Sequence, residues 1–484
     1  MSQLKTLNRQ TTNLQSILPE RVVQFGAGNF IRAFVDWMIQ RLNEETDFSS
    51  SVVVVKVTPN SKYDDLDAQD GLFYVHTEGI KNGEFITQTQ RIDCISRTVY
   101  PYYNFDAYRA LARQPQIRFL VSNTTEAGIS YNANDQFADT PASSFPAKLT
   151  QFLYERYRHF EGASHKGCII LPTELVVDNG TQLRHMVLAY AKQWQLDSEF
   201  TDWITQHNHF YNTLVDRIVS GYPADKHDEI LQKVGYNDDL LVMGEHYHSW
   251  VIEAPQSILT ALPFDQSQLN VKIVDDVDPY RRIKVRILNG LHTTMVPIGY
   301  LMGLETVQES IEHPLLGQFL RDEATQEIIP SLDMPEDELR QFASDVFDRF
   351  RNPSVHHRLL SIAVNTSTKV KTRILPTIRT YHHQYNQLPQ RAVLAMAAFI
   401  RFYKGEWQGD PIPLVDDENV IAWFKQQWQT CESHAVLVQR VLENTDLWDS
   451  DLSEITGLHA QLEAYLTQID TSGIENILEN LNTA

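Results

Sequence analysis

The stretch that decides the fold class of this chain is Glu20-Arg21-Val22-Val23-Gln24-Phe25-Gly26-Ala27-Gly28-Asn29-Phe30-Ile31-Arg32-Ala33-Phe34. Its apolar start predicts a buried strand, and the residues after Gly28 predict a helix. Gly26 permits a tight turn, and Gly28 lets the backbone approach a pyrophosphate at the positive end of the helix. The pattern therefore predicts a dinucleotide-binding turn, although an ordinary strand–turn–helix has the same outline. The residues predicted to contact the cofactor are Val22, Val23, Gln24, Phe25, Gly26, Ala27, Gly28, Asn29, Phe30, Ile31, Arg32 and Ala33.

Two positions near this turn depart from the usual dinucleotide fingerprint. Ile31 stands where a third glycine belongs, so the close helix–strand packing must be achieved elsewhere, and Ala33 is the best candidate. The second predicted strand ends in Lys56 and carries no acidic residue for the ribose 2′-hydroxyl of NAD. Lys56 could favour a 2′-phosphate, so the residues alone leave NAD and NADP both open.

A second candidate cofactor segment is the polar run Ser122-Asn123-Thr124-Thr125-Glu126-Ala127-Gly128. It follows a predicted strand, and nucleotides bind beyond the carboxyl ends of such parallel strands. We expect Asn123 and Thr124 to line the cofactor; the alternative is a polar loop without a ligand.

The order of predicted elements indicates two domains. Short apolar runs in the first half predict strands covered on both faces, at residues 21–25, 51–57, 117–123, 168–171, 239–243 and 271–274. Helical patterns lie between them, at 30–42 and 147–160. Alternation of this kind predicts an α/β Rossmann-type doubly wound domain over residues 1–277. A mainly α-helical domain over residues 278–484 follows, with helices at 335–350, 389–403, 420–443 and from 458 towards the end.

The second domain opens with a helix that carries an amine, an amide and an imidazole. Asp278 followed by Pro279 is typical of a helix N-cap and first turn. At about 100° per residue, His292 lies about 80° and Asn289 about 140° from Lys284. Groups of these three types on one face can polarise a carbonyl and pass it a proton. A solvated lysine and an Asn-Gly turn are the ordinary alternative.

Composition disfavours several partner classes. The 484 residues carry 41 Lys and Arg against 62 Asp and Glu, a net charge of −21, which disfavours nucleic acid and anionic membranes as general partners. Cys94, Cys168 and Cys431 lie far apart, as expected for free thiols in a reducing compartment. The start resembles no signal peptide and no run of 18 apolar residues occurs, so we expect a cytoplasmic protein.

A basic segment interrupts this acidic chain at Lys369-Val370-Lys371-Thr372-Arg373. Arg373 can bind a carboxylate through two parallel hydrogen bonds, and Lys369 adds a second cation. We predict substrate-carboxylate recognition by Lys369 and Arg373. A solvated helix face is an equally good interpretation of the segment.

Several motifs, spread over the whole chain, resemble those of the polyol-specific long-chain dehydrogenases, the mannitol dehydrogenase family. They are the Gly-x-Gly-Asn-Phe-x-Arg-Ala turn from Gly26, Val215-Asp216-Arg217-Ile218, Trp250-Val251-Ile252-Glu253, Lys284-x4-Asn289-x2-His292, Arg349-Phe350-x-Asn352-Pro353 and Ile374-Leu375-Pro376. The resemblance implies a reversible, metal-independent hydride transfer with NAD at a site between the two domains. By position it implies Lys284 as general acid/base, with Asn289 and His292 holding the reacting oxygen.

The same resemblance implies a six-carbon sugar acid as substrate and leaves its stereochemistry open; a neutral polyol is the alternative. The mannitol enzymes place an Asn after the strand that matches residues 168–171, and here that place is taken by Glu174. A carboxylate there cannot donate a hydrogen bond unless it is protonated. We expect Glu174 to contact substrate or to form an ion pair with Lys284.

Two other functions compete with this interpretation. Glu245-His246-Tyr247-His248 could belong to a metal site, but the sequence supplies no evident third ligand and we expect no metal. A non-catalytic nucleotide-sensing protein would keep the Gly26 turn, yet it would have no need of Lys284, Asn289 and His292 together. The sequence does not indicate an oligomeric state.

Overall fold

The structure is a computed structural model that describes residues 4–14, 16–59, 64–124 and 128–483. The chain divides into two compact units. The first unit consists of Met1–Glu78 and Ile86–Val277, and the second of Gly79–Phe85 and Asp278–Ala484.

The first unit is built on a six-stranded parallel sheet, which confirms the predicted Rossmann-type class. Its strands, numbered along the chain, are β1 Glu20–Phe25, β2 Ser51–Val55, β3 Ile95–Val99, β4 Phe119–Ser122, β5 Ile169–Pro172 and β6 His209–Phe210. Their order across the sheet is β3-β2-β1-β4-β5-β6, the order of dinucleotide-binding sheets. Every residue of β2 is buried, as expected for a strand covered on both faces.

Helices connect these parallel strands. A continuous helical segment follows β1, formed by Asn29–Ile31, a π-helical turn Arg32–Asp36, and Trp37–Glu45. The others in this unit are Asp64–Ala68, Phe105–Ala112, Phe145–His159, Asn179–Gln193, Ser198–His207 and His227–Val234, with 3-10 turns at Ser164–Lys166, Gln256–Thr260 and Phe264–Gln266.

Two predicted strands lie outside the main sheet, which corrects their expected place. Val242–Glu245 belongs to a four-stranded sheet with Val219–Gly221, Phe73–Lys81 and Glu84–Ile92. Val271–Val274 belongs to a three-stranded sheet with Thr213–Asp216 and Ser249–Glu253. Only two of the nine residues of Glu84–Ile92 are buried, so that strand lacks the continuous apolar run by which a sequence indicates a buried strand. Two-residue strands pair at Lys5–Thr6 with Tyr236–Asn237 and at Glu406–Trp407 with Asp410–Pro411.

The second unit is mainly helical, as predicted. Its helices are Asp278–Ile283, Gly290–Leu301, Val307–Glu312, Pro314–Asp322, Glu336–Phe350, Leu359–Ile362, Thr366–Lys369, Leu375–Tyr385, Gln390–Phe402, Glu418–Thr430, His434–Glu443, Thr445–Trp448, Leu458–Ser472 and Ile474–Thr483, with a 3-10 turn at Ile329–Ser331 and π-helical turns at Lys284–Asn289, Glu323–Ile328 and Val370–Ile374. All but the first residue of Gln390–Phe402 are buried, so this helix lies at the centre of the helical core. None of the described helices is long and apolar enough to cross a membrane.

The predicted extent of one helix in this unit was wrong. Residues 420–443 belong to two helices: the first ends at Thr430 and the second begins at His434. The Ser433 side chain accepts a hydrogen bond from the Val436 backbone N–H and so caps the second helix. The terminal helical pattern is likewise divided, at Gly473, whose φ of +80° favours glycine.

Candidate functional site

The predicted glycine turn joins β1 to the helix that begins at Asn29. Gly26 has a φ of +109°, and a Cβ added there would lie 2.7 Å from the Asn123 carbonyl oxygen. Gly28 is extended, and a Cβ added there would meet no protein atom within 4 Å. The first glycine therefore permits close backbone packing, and the second leaves an open approach to the start of the helix.

Most residues predicted to contact the cofactor turn their side chains into the protein. Of the twelve, Gly28, Asn29 and Phe30 are accessible and the other nine are buried. Ile31, at the position of the missing third glycine, is fully buried in the core beneath the sheet, in the same cluster as Ala33. The buried residues can therefore shape the turn and offer it backbone groups, but they present little side chain to a ligand.

A buried polar network supports the turn from behind. The Gln24 Nε2 amide donates to the Gly26 carbonyl at 3.1 Å and to Asp36 Oδ2 at 3.2 Å. Burial raises the pKa of Asp36 to about 7, although the Gln24 hydrogen bond and the Arg32 charge both oppose that shift. Gln24 thus holds the turn in place through the Gly26 carbonyl, and Asp36 holds Gln24. The sequence gave no reason to select Asp36.

Two arginines hold the helix that follows the turn. Arg32 donates to the Leu240 carbonyl at 2.5 Å and to Asn29 Oδ1 at 2.8 Å. Arg217, from the predicted Val215-Asp216-Arg217-Ile218 motif, donates to the Ala33 carbonyl at 2.6 Å. Burial lowers the pKa of Arg217 to about 10. The bonds to the Leu240 and Ala33 carbonyls join the helix to segments next to the four-stranded sheet, which gives the motif a structural role.

Lys56, at the end of β2, is 4% exposed. Its Nζ lies 4.9 Å from the ring centroid of Tyr100 and 5.7 Å from that of Tyr103. The Lys56 ammonium group, which the sequence made a candidate for binding a 2′-phosphate, therefore forms cation–π contacts with two tyrosines.

The second predicted cofactor segment lies directly against the glycine turn. The Asn123 backbone N–H donates to the Phe25 carbonyl at 3.2 Å, and its side-chain amide donates to the Thr173 carbonyl at 3.2 Å. Glu174 Oε2 accepts a hydrogen bond from the Ser122 hydroxyl, and Oε1 accepts from the Thr124 backbone N–H and hydroxyl. Residues 125–127 of this segment lie outside the described residues.

In the second unit, the predicted catalytic residues lie on one continuous helical segment, residues 278–301, here called the Lys284 helix. Its middle turn, Lys284–Asn289, is π-helical, so the spacing of about 140° expected between those two residues does not apply. A π turn pairs residues five apart, and such turns are frequent at functional sites. Lys284, Asn289 and His292 are partly accessible, whereas Arg286–Leu288, Gly290 and Leu291 between them are buried. The three residues are therefore on the accessible side of a largely buried helix.

Arg286 anchors the π-helical turn from its buried side. Its guanidinium donates to Thr377 Oγ1 at 2.9 Å and to Ser331 Oγ at 2.8 Å. Burial lowers the pKa of Arg286 to about 10. A buried cation with two hydroxyl partners fixes the rotation of this turn about its axis, and hence the side to which Lys284 and Asn289 belong.

Two aromatic rings flank His292. Phe350 lies 4.4 Å away between ring centroids, and the His357 ring lies 5.3 Å away at an interplanar angle of 74°. The His357 carbonyl accepts from the Val307 N–H, which holds the segment in place. Burial, and then the charge of Lys369, lower the pKa of His357. His357 is not among the residues selected from the sequence; only its position between the Asn352-Pro353 motif and the basic segment could have drawn attention to it.

The basic segment lies beside the Lys284 helix. Arg373 Nη1 donates to Thr293 Oγ1 at 3.2 Å and approaches the Asn289 carbonyl at 3.4 Å. Lys369 donates to the Ile362 carbonyl at 2.6 Å, and burial followed by the Arg373 charge lower its pKa. Lys371 points elsewhere and forms an ion pair with Asp449 at 2.6 Å. The structure therefore divides the segment into two cations near the helix and one in a surface pair.

The residues considered for a metal site have other partners. Glu245 Oε1 accepts from the Ile218 N–H at 2.6 Å, and His248 Nε2 accepts from the Asn270 N–H at 3.0 Å. Burial lowers the pKa of His248 to about 3, so the ring is neutral and packs against Trp37. Among the described residues, no group of three or more His, Cys, Asp or Glu is arranged to hold a metal ion.

A cavity of about 520 Å³ lies in the second unit, among the helices of residues 418–448. It is lined by Asn419, Val420, Trp423, Gln427, Arg440, Glu443, Asn444, Asp446 and Leu447, none of which is a predicted site residue. This cavity therefore does not coincide with the candidate groups, and the placement of those groups is the better guide to the chemistry.

Comparison with known proteins gives matches along nearly the whole chain. The mannitol dehydrogenase Rossmann domain matches residues 20–266, and the mannitol dehydrogenase C-terminal domain matches residues 276–470. Altronate oxidoreductase of Yersinia pestis bv. Antiqua (strain Nepal516) is 45% identical over 476 residues, 97% of this chain and 98% of that protein. Altronate oxidoreductase of Bacillus subtilis (strain 168) is 44% identical over 479 residues, 98% of each chain.

Two solved structures share the fold. Pseudomonas fluorescens mannitol 2-dehydrogenase, in a ternary complex with NAD and D-mannitol, aligns at 22% identity and a TM-score of 0.66 over 99% of both chains. A D-sorbitol dehydrogenase in substrate-free form aligns at 21% identity and a TM-score of 0.80, over 98% of this chain and 100% of that one. With both family domains matched in order and relatives at 44–45% identity along its length, the chain belongs to the mannitol dehydrogenase family.

Proposed function

We propose that this protein is an NAD-dependent oxidoreductase that interconverts D-altronate and D-tagaturonate in the breakdown of hexuronic acids. The observation that carries the proposal is the 44–45% identity, over nearly the full length, to proteins named altronate oxidoreductase. The three free cysteines, two of them buried, are consistent with the reducing conditions of the cytoplasm, where we place the reaction.

We propose the first unit, residues 1–277, as the dinucleotide-binding domain. The residues present fit a dinucleotide, because the open side of Gly28 leaves room for a pyrophosphate at the start of the helix and the Gln24 network fixes the turn behind it. When bound, the nicotinamide supplies or accepts the hydride. The contacts of Lys56 with Tyr100 and Tyr103 leave it poorly placed to attract a 2′-phosphate, which favours NAD over NADP.

We propose the second unit, residues 278–484, as the substrate and catalytic domain. In the direction of reduction, Lys284 donates a proton from Nζ to the ketone oxygen while that carbon gains a hydride. In the direction of oxidation, the neutral Lys284 amine accepts the hydroxyl proton. Asn289 and His292 donate hydrogen bonds to the reacting oxygen, which stabilise the negative charge that develops on it. Their common accessible side on the Lys284 helix supports this division of roles.

We assign recognition of the substrate carboxylate to Lys369 and Arg373. Burial lowers the pKa of Lys369, and Arg373 is close enough for its charge to lower that pKa further, an effect that the Asp416 charge opposes. A carboxylate bound between the two cations would offset their repulsion and accept hydrogen bonds from both. Arg373 also bonds the helix that carries Asn289 and His292, so a carboxylate bound there is held at a fixed distance from the reacting oxygen.

The test is a substrate panel followed at the absorbance band of reduced nicotinamide. D-altronate, D-mannonate and D-mannitol are each supplied with NAD⁺ and with NADP⁺, and the reaction is repeated after exhaustive chelation. We expect the largest kcat/KM with D-altronate and NAD⁺, unchanged by chelation. A larger value for D-mannonate or D-mannitol, or no turnover of any sugar acid, would overturn the assignment.

A further inference from the structure

Glu174 is a buried acid at the carboxyl end of β5, with 3% of its surface exposed. Its Oε1 accepts hydrogen bonds from the Thr124 backbone N–H at 2.9 Å and from Thr124 Oγ1 at 3.0 Å. Its Oε2 accepts from Ser122 Oγ at 3.0 Å. Burial raises the pKa of this carboxyl against the opposing effect of those hydrogen bonds. The side chain therefore bridges the ends of two neighbouring parallel strands.

The segment that Glu174 binds also forms one wall of the glycine turn. Asn123 lies between the two Glu174 partners, and its carbonyl oxygen lies 2.7 Å from the position that a Cβ on Gly26 would take. The Asn123 N–H bonds the Phe25 carbonyl, and its side-chain amide bonds Thr173, the residue before Glu174. A displacement of Thr124 or Ser122 would thus move the backbone against which the turn is packed.

We propose that Glu174 is a positioning residue for the cofactor turn: its carboxylate fixes Ser122 and Thr124, and through Asn123 it holds the backbone of Gly26 in place. The inference rests on the proposed function only in that the turn binds a nicotinamide dinucleotide. It assigns Glu174 to cofactor binding and not to contact with the sugar acid.

The hydrogen-bond chemistry of two variants separates these roles. In Glu174→Gln the amide oxygen can still accept both bonds from Thr124, and the amide nitrogen can donate to the Ser122 hydroxyl, which also accepts. In Glu174→Ala the Thr124 N–H loses its acceptor inside the protein, where an unpaired donor is costly. A positioning role therefore tolerates glutamine, whereas a role that needs the negative charge or the basicity of a carboxylate does not.

The primary measurement is NADH affinity of the purified protein, by nicotinamide fluorescence titration in the absence of any sugar acid. We expect Glu174→Ala to weaken binding by roughly tenfold or more, and Glu174→Gln to restore most of that loss. Thr124→Val, which removes the hydroxyl bond but keeps the N–H, is expected to weaken binding by a smaller factor. This variant and Glu174→Gln keep the test decisive if the alanine variant does not fold.

Asp135→Ala is the matched control. Asp135 is also buried in the first unit, and its carboxylate accepts from the backbone and side chain of Ser143 and from the Ser144 N–H, in a loop that does not form the glycine turn. We expect it to lower the thermal unfolding midpoint as Glu174→Ala does, with NADH affinity unchanged. Equal losses of affinity in the two variants would show that general destabilisation is responsible and would overturn the proposal.

Two further results would also overturn it. Glu174→Ala could bind NADH normally while KM for the sugar acid rises, which would place Glu174 in contact with substrate. Glu174→Gln could lose turnover while it binds NADH normally, which would indicate a role for the charge itself. A wild-type protein that binds NADH but oxidises no sugar acid would contradict the proposed function and leave the Glu174 result standing; one that binds no nicotinamide dinucleotide would contradict both.

Discussion

Replacement of Arg373 by alanine is the sharpest test of how this protein recognises a sugar acid. Arg373 is partly buried, and burial and the Arg373 charge together lower the pKa of the nearby Lys369. Arg373 also donates hydrogen bonds to Thr293 and Asn289 of the Lys284 helix. A hydrogen bond between charged partners contributes about 1.5–3 kcal/mol. Since about 1.4 kcal/mol corresponds to a factor of ten, Arg373→Ala should raise KM for D-altronate by about ten- to a hundredfold.

The same substitution also removes two hydrogen bonds that the guanidinium donates to neutral acceptors within the protein. The Thr293 hydroxyl and the Asn289 carbonyl lose a donor, at a cost of roughly 1 kcal/mol each that applies whatever the substrate is. The amide of altronic acid has the same hydroxyl stereochemistry without the charge, so it measures this second effect alone. We expect Arg373→Ala to change kcat/KM much less for the amide than for D-altronate.

Lys371 supplies a matched control two residues away. Lys371→Ala changes the net charge by the same amount, but its ion pair with Asp449 is at the surface, where such pairs contribute about 0–1 kcal/mol. Initial rates of NADH formation for both substrates in both variants complete the experiment. An equal change for acid and amide in Arg373→Ala, or an equal effect of the two substitutions on D-altronate, would refute carboxylate recognition by Arg373.

Four other substitutions test the remaining roles. Lys284→Ala should abolish turnover because it removes the proton donor, while NADH affinity measured by fluorescence stays normal; near-normal turnover would refute the assignment. Gly26→Ala should lower both the thermal unfolding midpoint and NADH affinity, because its methyl group would lie 2.7 Å from the Asn123 carbonyl oxygen. Gly28→Ala should lower NADH affinity and leave the unfolding midpoint unchanged. Equal losses of unfolding midpoint in the two variants would contradict this expectation. Asp36 has a folded-state pKa of about 7 against about 3.9 when unfolded, so the folded state binds more protons and stability falls as pH rises through that window. Asp36→Asn, which cannot ionise, should therefore gain in unfolding midpoint relative to wild type between pH 5 and pH 8; a constant difference would mean that Asp36 does not titrate there.

Local patterns predicted the fold because its signals are contained in short segments. Strand β1, the glycine turn and the following helix are contiguous in sequence, and a buried parallel strand such as Ser51–Val55 is an unbroken apolar run. By contrast, Ile95–Val99 at one edge of the sheet was missed, because only its two end residues are buried and it shows no such run. The break after Thr430 was also missed, since the apolar spacing continues through it.

The candidate catalytic residues were predicted together because they lie within nine positions on one helix, although the assumption of regular α geometry was wrong. The π-helical turn at Lys284–Asn289 contains Arg286, which is bonded to Ser331 and Thr377, 45 and 91 residues away. No periodicity within the helix reveals such partners. The same holds for the contact of His292 with His357, two residues that sequence reasoning never connected.

By itself, the sequence determined that a Rossmann-type half precedes a helical half, because the patterns that indicate strands, turns and helices lie in neighbouring residues. It also indicated the lysine, asparagine and histidine of the Lys284 helix as candidate catalytic residues, because they lie close together in sequence. Only the tertiary structure decided that Arg373 lies against that helix, that Glu174 binds the segment beside Gly26, and that Gln24 faces inward. Those placements follow from hydrogen bonds and packing between residues up to about 80 positions apart, which form only when the chain is folded.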